Sequence, residues 1–225
     1  MNTANEFHDS TREQLLDAAE ALFVDRGVDN VSLRAIGRHA GQRNQSALQY
    51  HFDNRDGLLA AVMRRRMSQV EARRSEYIET LITRSAEPDL HDCCTALIRT
   101  PCSLCAEDTT FRDIFGLFGS RFINSNRREA ITDAQRDVPS LDRMMKVIVA
   151  LLSELPGELI PMRIEAAQSA GFLAISRRAY LREPFTGVAA TLFERNLVDQ
   201  TCAMLSAPVS TATLQTIREL RTVGN

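Results

Sequence analysis

Nowhere in the chain do 18 apolar residues run together, so no transmembrane helix is expected. The opening stretch MNTANEFHDSTREQ is polar and has no apolar signal core, which points to a cytoplasmic protein. Tryptophan is absent and strand-favouring runs are few. Alanine, leucine, arginine and glutamate are frequent instead, a composition that favours helix. Histidine is scarce. His8, His39, His51 and His91 are scattered, and a catalytic cluster would have to be assembled from distant places. There is no Gly-rich phosphate loop, no H-E-x-x-H and no G-x-S-x-G. No catalytic residue, metal ligand or cofactor is therefore expected, and the chain reads as a non-enzyme.

What is present is ordinary in bulk. The 225 residues are 44% hydrophobic and 25% charged, enough for one large or two small domains. A net charge of −2 argues against a protein that coats nucleic acid non-specifically. The charge is unevenly spread, however. From Val31 to Arg66 seven Arg stand against Asp53 and Asp56, a local charge of +5. A basic segment in an otherwise acidic chain suggests a confined phosphate-binding face.

That segment contains SLRAIGRHAGQRNQSALQYHF, from Ser32 to Phe52. Ser32 is suited to N-cap a short helix, with Val31 and Ile36 at the spacing of a hydrophobic staple. Arg34 and Arg38 share its outer face, where they meet phosphates or solvent. Gly41 permits a turn. A second short helix begins near Asn44 or Gln45. Leu48 and Phe52, four apart, anchor it, while Gln45, Ser46, Gln49 and Tyr50 present amides and hydroxyls suited to base edges. Arg43 lies at its entrance and His51 near its end. No Glu, Asp or Lys occurs between Gly41 and Phe52, where carboxylates would repel phosphate. Two short helices joined by a tight turn make a helix-turn-helix. Ahead of it, residues 1–10 read as a disordered leader. From Thr11 a helix carries Leu15, Ala19, Leu22 and Phe23 on one face and ends at Gly27.

On these residues the segment Thr11–Met67 resembles the DNA-binding domain of the tetracycline-repressor (TetR) family of bacterial regulators. The resemblance is carried by AAEALFVDRG (Ala18–Gly27), VSLRAIGRHAG (Val31–Gly41), SALQYHF (Ser46–Phe52) and NRDGLL (Asn54–Leu59). It implies base or groove contacts from Gln45, Ser46, Gln49 and Tyr50. It implies phosphate contacts from Ser32, Arg43, His51 and Arg55. Two departures stand out: the QRNQ turn is one residue longer than is usual in the family, and Gln49 stands where Tyr is common.

The rest of the chain reads as a helical body. A long helix runs from Asn54 to about Arg84, its Arg64, Arg65 and Arg66 expected on the outside, where they touch DNA or, the favoured reading, solubilise the helix. In the family, the equivalent helix links the DNA head to the regulatory body. A segment from Leu90 to Ala106 holds Cys93, Cys94, Cys102 and Cys105, and a thiol- or metal-responsive trigger at Cys102 and Cys105 is the alternative reading. Phe111, Phe115, Phe118 and Phe122 form an aromatic stripe interrupted by Gly116 and Gly119. Glycines inside a helix are costly, and missing side chains beside aromatics leave space. The expectation is an apolar effector pocket lined by these four Phe, with Met67, Met144 and Ile148 from neighbouring helices. A further helix spans Leu141–Leu155. The last two long helices, about 161–182 and 186–205, are expected by resemblance to pair with their copies in a homodimer.

The sequence thus reads as an all-α protein. A three-helix DNA-binding domain (1–56) precedes a helical effector-binding and dimerisation domain (57–225). The expected partners are double-stranded DNA bearing a palindromic operator, a small apolar effector and a second copy of the chain, with no membrane. The expected function is that of a ligand-responsive repressor.

Overall fold

The computed structural model describes residues 3–42, 46–84, 88–122 and 139–223. Among them the chain is all-α, with ten α-helices and no strand. The first three are α1 (Thr3–Arg26), α2 (Leu33–His39) and α3 (Ser46–Phe52). The long α4 (Arg55–Arg84) follows, then α5 (Leu90–Glu107), α6 (Thr109–Phe122) and α7 (Pro139–Leu151). The chain ends with α8 (Leu159–Tyr180), α9 (Val188–Ser206) and α10 (Thr211–Val223). Helix α1 starts eight residues before the expected Thr11, because no Pro or Gly interrupts Thr3 to Ser10. Helix α7 stops at Leu151 rather than Leu155, in a turn that leads to Pro156.

Two hydrophobic clusters organise the molecule. The head cluster holds the α1 stripe (Leu15, Leu16, Ala19, Leu22 and Phe23), Ile36 of α2, and Leu48 and Phe52 of α3, all buried. Leu58, Leu59, Ala61, Val62 and Met63 of α4 complete it, together with Ile114 and Phe118 of α6. The body cluster joins α4 through α9 by way of Val70, Ile98, Phe111, Phe115, Met144, Ile148, Ile175 and Leu197. Helix α4 crosses from one cluster to the other. At 30 residues it is about 45 Å long. Met67 packs against both clusters.

The glycines of α6 do something other than open a pocket. A Cβ on Gly116 would lie 2.6 Å from the Tyr180 backbone nitrogen, and one on Gly119 would lie 1.9 Å from Ser176 Cβ. Both glycines let α6 press directly onto α8, so the missing side chains are filled by a neighbouring helix. The same close approach corrects the expected lining: Phe118 faces the head cluster, and Phe111 is fully buried in the body cluster. Gly119→Ala is therefore expected to destabilise the protein by about 1–3 kcal/mol or more through overpacking. Urea unfolding checks this, and an unchanged midpoint would contradict the packing described.

Candidate nucleic-acid interface and effector cavity

The helix-turn-helix is built by local chemistry. Ser32 caps α2, its Oγ accepting from the Ala35 N–H at 3.2 Å. Val31 and Ile36, the expected staple, are both buried. Helix α2 ends on Gly41 at φ 69°. The Gln42 N–H donates to the Gly37 carbonyl at 2.9 Å and the Gly41 N–H to the Arg38 carbonyl at 3.1 Å. That pair of bonds is a Schellman motif, which a side chain at Gly41 would strain. Leu48 and Phe52 bury one side of α3 and leave Gln49 and Tyr50 on the outside, with Tyr50 75% exposed. His51 is half-buried, with the Tyr50 ring edge-on to it at 5.2 Å. Arg43 and Gln45 lie outside the described residues, as does the side chain of Ser46, whose backbone begins α3.

The link into α4 is equally tight. Asn54 caps it by accepting from the Gly57 N–H at 2.9 Å. Gly57 has no room for a side chain, since a Cβ there would meet the Phe52 carbonyl oxygen at 2.0 Å. Arg55 also makes contacts that were not expected from the sequence. Its guanidinium donates to the backbone carbonyls of Val28 and Val31, bracing α4 against the connection between α1 and α2. These two bonds tie the start of α4 to the α1–α2 connection.

A buried ion pair fastens the head to α4. Arg66 and Glu20 are 4% and 2% exposed, and Arg66 Nε donates to Glu20 Oε1 at 2.9 Å while Nη2 donates to Oε2. Arg66 Nη1 also reaches Asp108, the residue before α6, at 3.3 Å. Beside it Arg65 pairs with Asp17 and lies 3.6 Å from Glu13. The expectation that all three arginines face solvent thus holds for Arg64 alone; the carboxylates of α1 draw the other two inward.

In the body, a cavity of about 100 Å³ lies between α4, α5, α6, α7, α8 and α9. Met67, Leu97, Phe115, Leu141, Phe172 and Ile175 give it an apolar lining. Of the expected lining residues, Met67 and Phe115 reach it. Met144 and Ile148 are buried in the surrounding core instead, and the side chain of Phe122 lies outside the described residues. Sequence reasoning missed Ala167 and Gly171 of α8 and Pro101 of α5. It also missed Arg74 of α4.

Residues 15–62 match the family described as bacterial regulatory proteins, tetR family. The head is thus similar to the DNA-binding segment of that family. No curated protein matches the chain. Among solved structures it is similar to FadR from Bacillus halodurans, a fatty acid degradation regulator, at 14% identity and TM-score 0.59, covering 88% of this chain and 95% of that one. It is also similar to the transcriptional regulator FadR from Bacillus subtilis in complex with stearoyl-CoA, at 17% identity and TM-score 0.54, covering 88% and 99%. Mycobacterium smegmatis AmtR aligns at 19% identity and TM-score 0.51, covering 87% and 90%. These likenesses extend over the helical body as well as the head and show a shared fold.

The cysteines of the body are mostly buried. Cys102 and Cys105 are 4% and 2% exposed in the core of α5. Burial pushes the Cys102 thiol up to about 12 and raises Cys105 as well. Both stay protonated near neutrality, and the thiolate is the form that ligates metal or reacts. Native thiol labelling at pH 8 is expected to reach at most the half-buried Cys202, with the other four reacting only on unfolding; rapid modification of Cys102 or Cys105 would revive a thiol trigger. Arg66→Met would leave Glu20 buried without its cation and is expected to cost about 3–5 kcal/mol in urea unfolding. Adding Glu20→Leu should recover much of that loss, and a single-variant loss below about 1 kcal/mol would mean that the pair does not hold the junction.

Proposed function

We propose that the protein is a ligand-responsive transcriptional repressor that acts in the cytoplasm. It binds a palindromic operator as a homodimer and leaves it when a small, largely apolar effector enters the body. The observation that carries this reading is the course of α4. Met67, Val70 and Arg74 of this helix line the cavity, while Arg66 of the same helix grips Glu20 of the head. A ligand that repositions α4 therefore repositions the reading helix. The stearoyl-CoA bound by the Bacillus subtilis FadR supports a body that accepts apolar chains.

What α8 and α9 leave uncovered supports dimerisation through them. Met162, Tyr180, Val188 and Leu192 are all more than half exposed. An apolar face of this kind is covered by a second copy in two-fold regulators, which places two reading helices in successive major grooves. Gln49 and Tyr50 then read bases, and Ser32 and His51 hold phosphates, with Arg43, Gln45 and Ser46 at the helix entrance as further contacts. No described helix is long and apolar enough to cross a membrane.

Fluorescence anisotropy with palindromes from the region upstream of its own gene tests the proposal. The expected result is salt-sensitive binding that prefers one palindrome over random DNA. Gln49→Ala should narrow that preference by about 1–3 kcal/mol while leaving random-DNA affinity in place. Equal retention of palindromic and random DNA by the unaltered protein would defeat the proposal.

A further inference from the structure

The cavity contains one feature that an apolar effector alone does not explain. Arg74 is its only charged lining residue among those described, and it is 8% exposed. Its Nε is buried with no hydrogen-bond partner. A buried guanidinium N–H left unpaired is costly, more so than a neutral group. The nearest carboxylate, Glu71, lies 3.7 Å from Nη1, too far for a hydrogen bond. Glu71 is also engaged elsewhere: it accepts from the Ser140 N–H at 2.7 Å and from the Ser140 hydroxyl, which ties α4 to the start of α7. Glu71 thus tempers the charge of Arg74 through space without taking up the Nε donor. Burial outweighs Glu71 and disfavours the Arg74 cation.

We propose that Arg74 receives the anionic head of the effector, so that the ligand is an apolar carboxylic acid with its carboxylate on Arg74 and its hydrocarbon against Phe115, Phe172 and Ile175. This rests on the reading of the cavity as the effector site. The planar guanidinium matches a carboxylate in shape, and a charge-assisted bond in a low-dielectric pocket is the strong kind. A single negative charge is what one arginine can compensate, while the rest of the lining offers only apolar contact and the polar side chains of Gln168 and Thr201. Thr201 already donates to the Leu197 carbonyl at 2.7 Å, and the Gln168 amide lies 3.6 Å from Met145 Sδ. The carboxylate would bind on α4 itself, two turns beyond Arg66, which is the position from which a ligand can move the head.

The test uses the full-length protein with three probes that share one chain length: octanoate, methyl octanoate and octan-1-ol. Binding is read by isothermal titration calorimetry and DNA release by anisotropy. The expected result is that octanoate binds at least about tenfold more tightly than the ester or the alcohol and is the best at releasing DNA. In Arg74→Met that advantage should vanish while alcohol binding persists, and Arg74→Lys should recover part of it. Thermal unfolding shows whether each variant is folded, and the comparison of probes on the unaltered protein stands without any variant. If acid, ester and alcohol bind alike and release DNA alike, the anionic head is wrong and the effector cavity survives. If none of the three binds, the cavity reading falls and the proposal with it.

Discussion

Glu20 and Arg66 bury opposite charges against each other where α1 crosses α4, and the relation between head and body depends on that contact. Taking both charges out of water costs several kcal/mol each, so the pair is a poor source of net stability. Its value lies in direction. Two nearly parallel hydrogen bonds between a guanidinium and a carboxylate admit one relative orientation. Asp108 adds a third point of attachment from the start of α6, where its Oδ1 also accepts from the Thr110 N–H at 2.8 Å. A slippery apolar contact between α1, α4 and α6 would permit many angles. This polar one selects a single angle, and Ile114 and Phe118 of α6 then fill the head cluster around it.

The body is governed by a different constraint, the contact between α6 and α8. Gly116 and Gly119 bring the two helices so close that no side chain fits between them. Close approach at one place forces separation at another, because neither helix can bend freely. Elsewhere on α8, Gly171 faces α5, and a Cβ placed on it would lie 2.9 Å from Ile98 Cδ1. Ala167, Gly171, Pro101, Phe115 and Phe172 all line the cavity. The cavity is thus a by-product of which contacts are tight. Its position beside α4 is what gives it consequence.

Much of the head was legible because its signals are local. The Ser32 cap, the Gly41 turn, the buried pair Leu48 and Phe52 and the Asn54 cap each depend on residues within five positions. The missed features depend on distant partners. Arg66 looks like any surface arginine until Glu20, 46 positions earlier in the chain, is placed opposite it. The bonds from Arg55 to the Val28 and Val31 carbonyls span more than twenty positions and leave no local signal. The glycines of α6 were flagged as informative, but their meaning was inverted: a missing side chain signals either an empty space or an intruding neighbour, and periodicity alone does not distinguish them. The aromatic stripe was split for the same reason. Phe111, Phe115 and Phe118 lie on one face, yet that face spans two clusters, and only Phe115 of the three reaches the cavity.

These constraints converge on a short length of α4. Met67 lines the cavity, packs against both clusters and is adjacent to Arg66. Arg55 lies twelve residues earlier, about 18 Å along the helix axis. A tilt of about 5° with its pivot near Met67 would move that end by about 1.6 Å, simple geometry on the stated rise per residue. Arg55, held to the α1–α2 connection, would carry α2 and α3 with it. In a two-fold assembly both heads would move, and the separation between reading helices would change by up to twice that amount. Hydrogen bonds to base edges tolerate a few tenths of an ångström. On the proposed function, a small displacement at the cavity would be enough to break register with DNA through a rigid lever. The buried Arg66–Glu20 pair and the Arg55 brace supply that rigidity at its two points of attachment to the head.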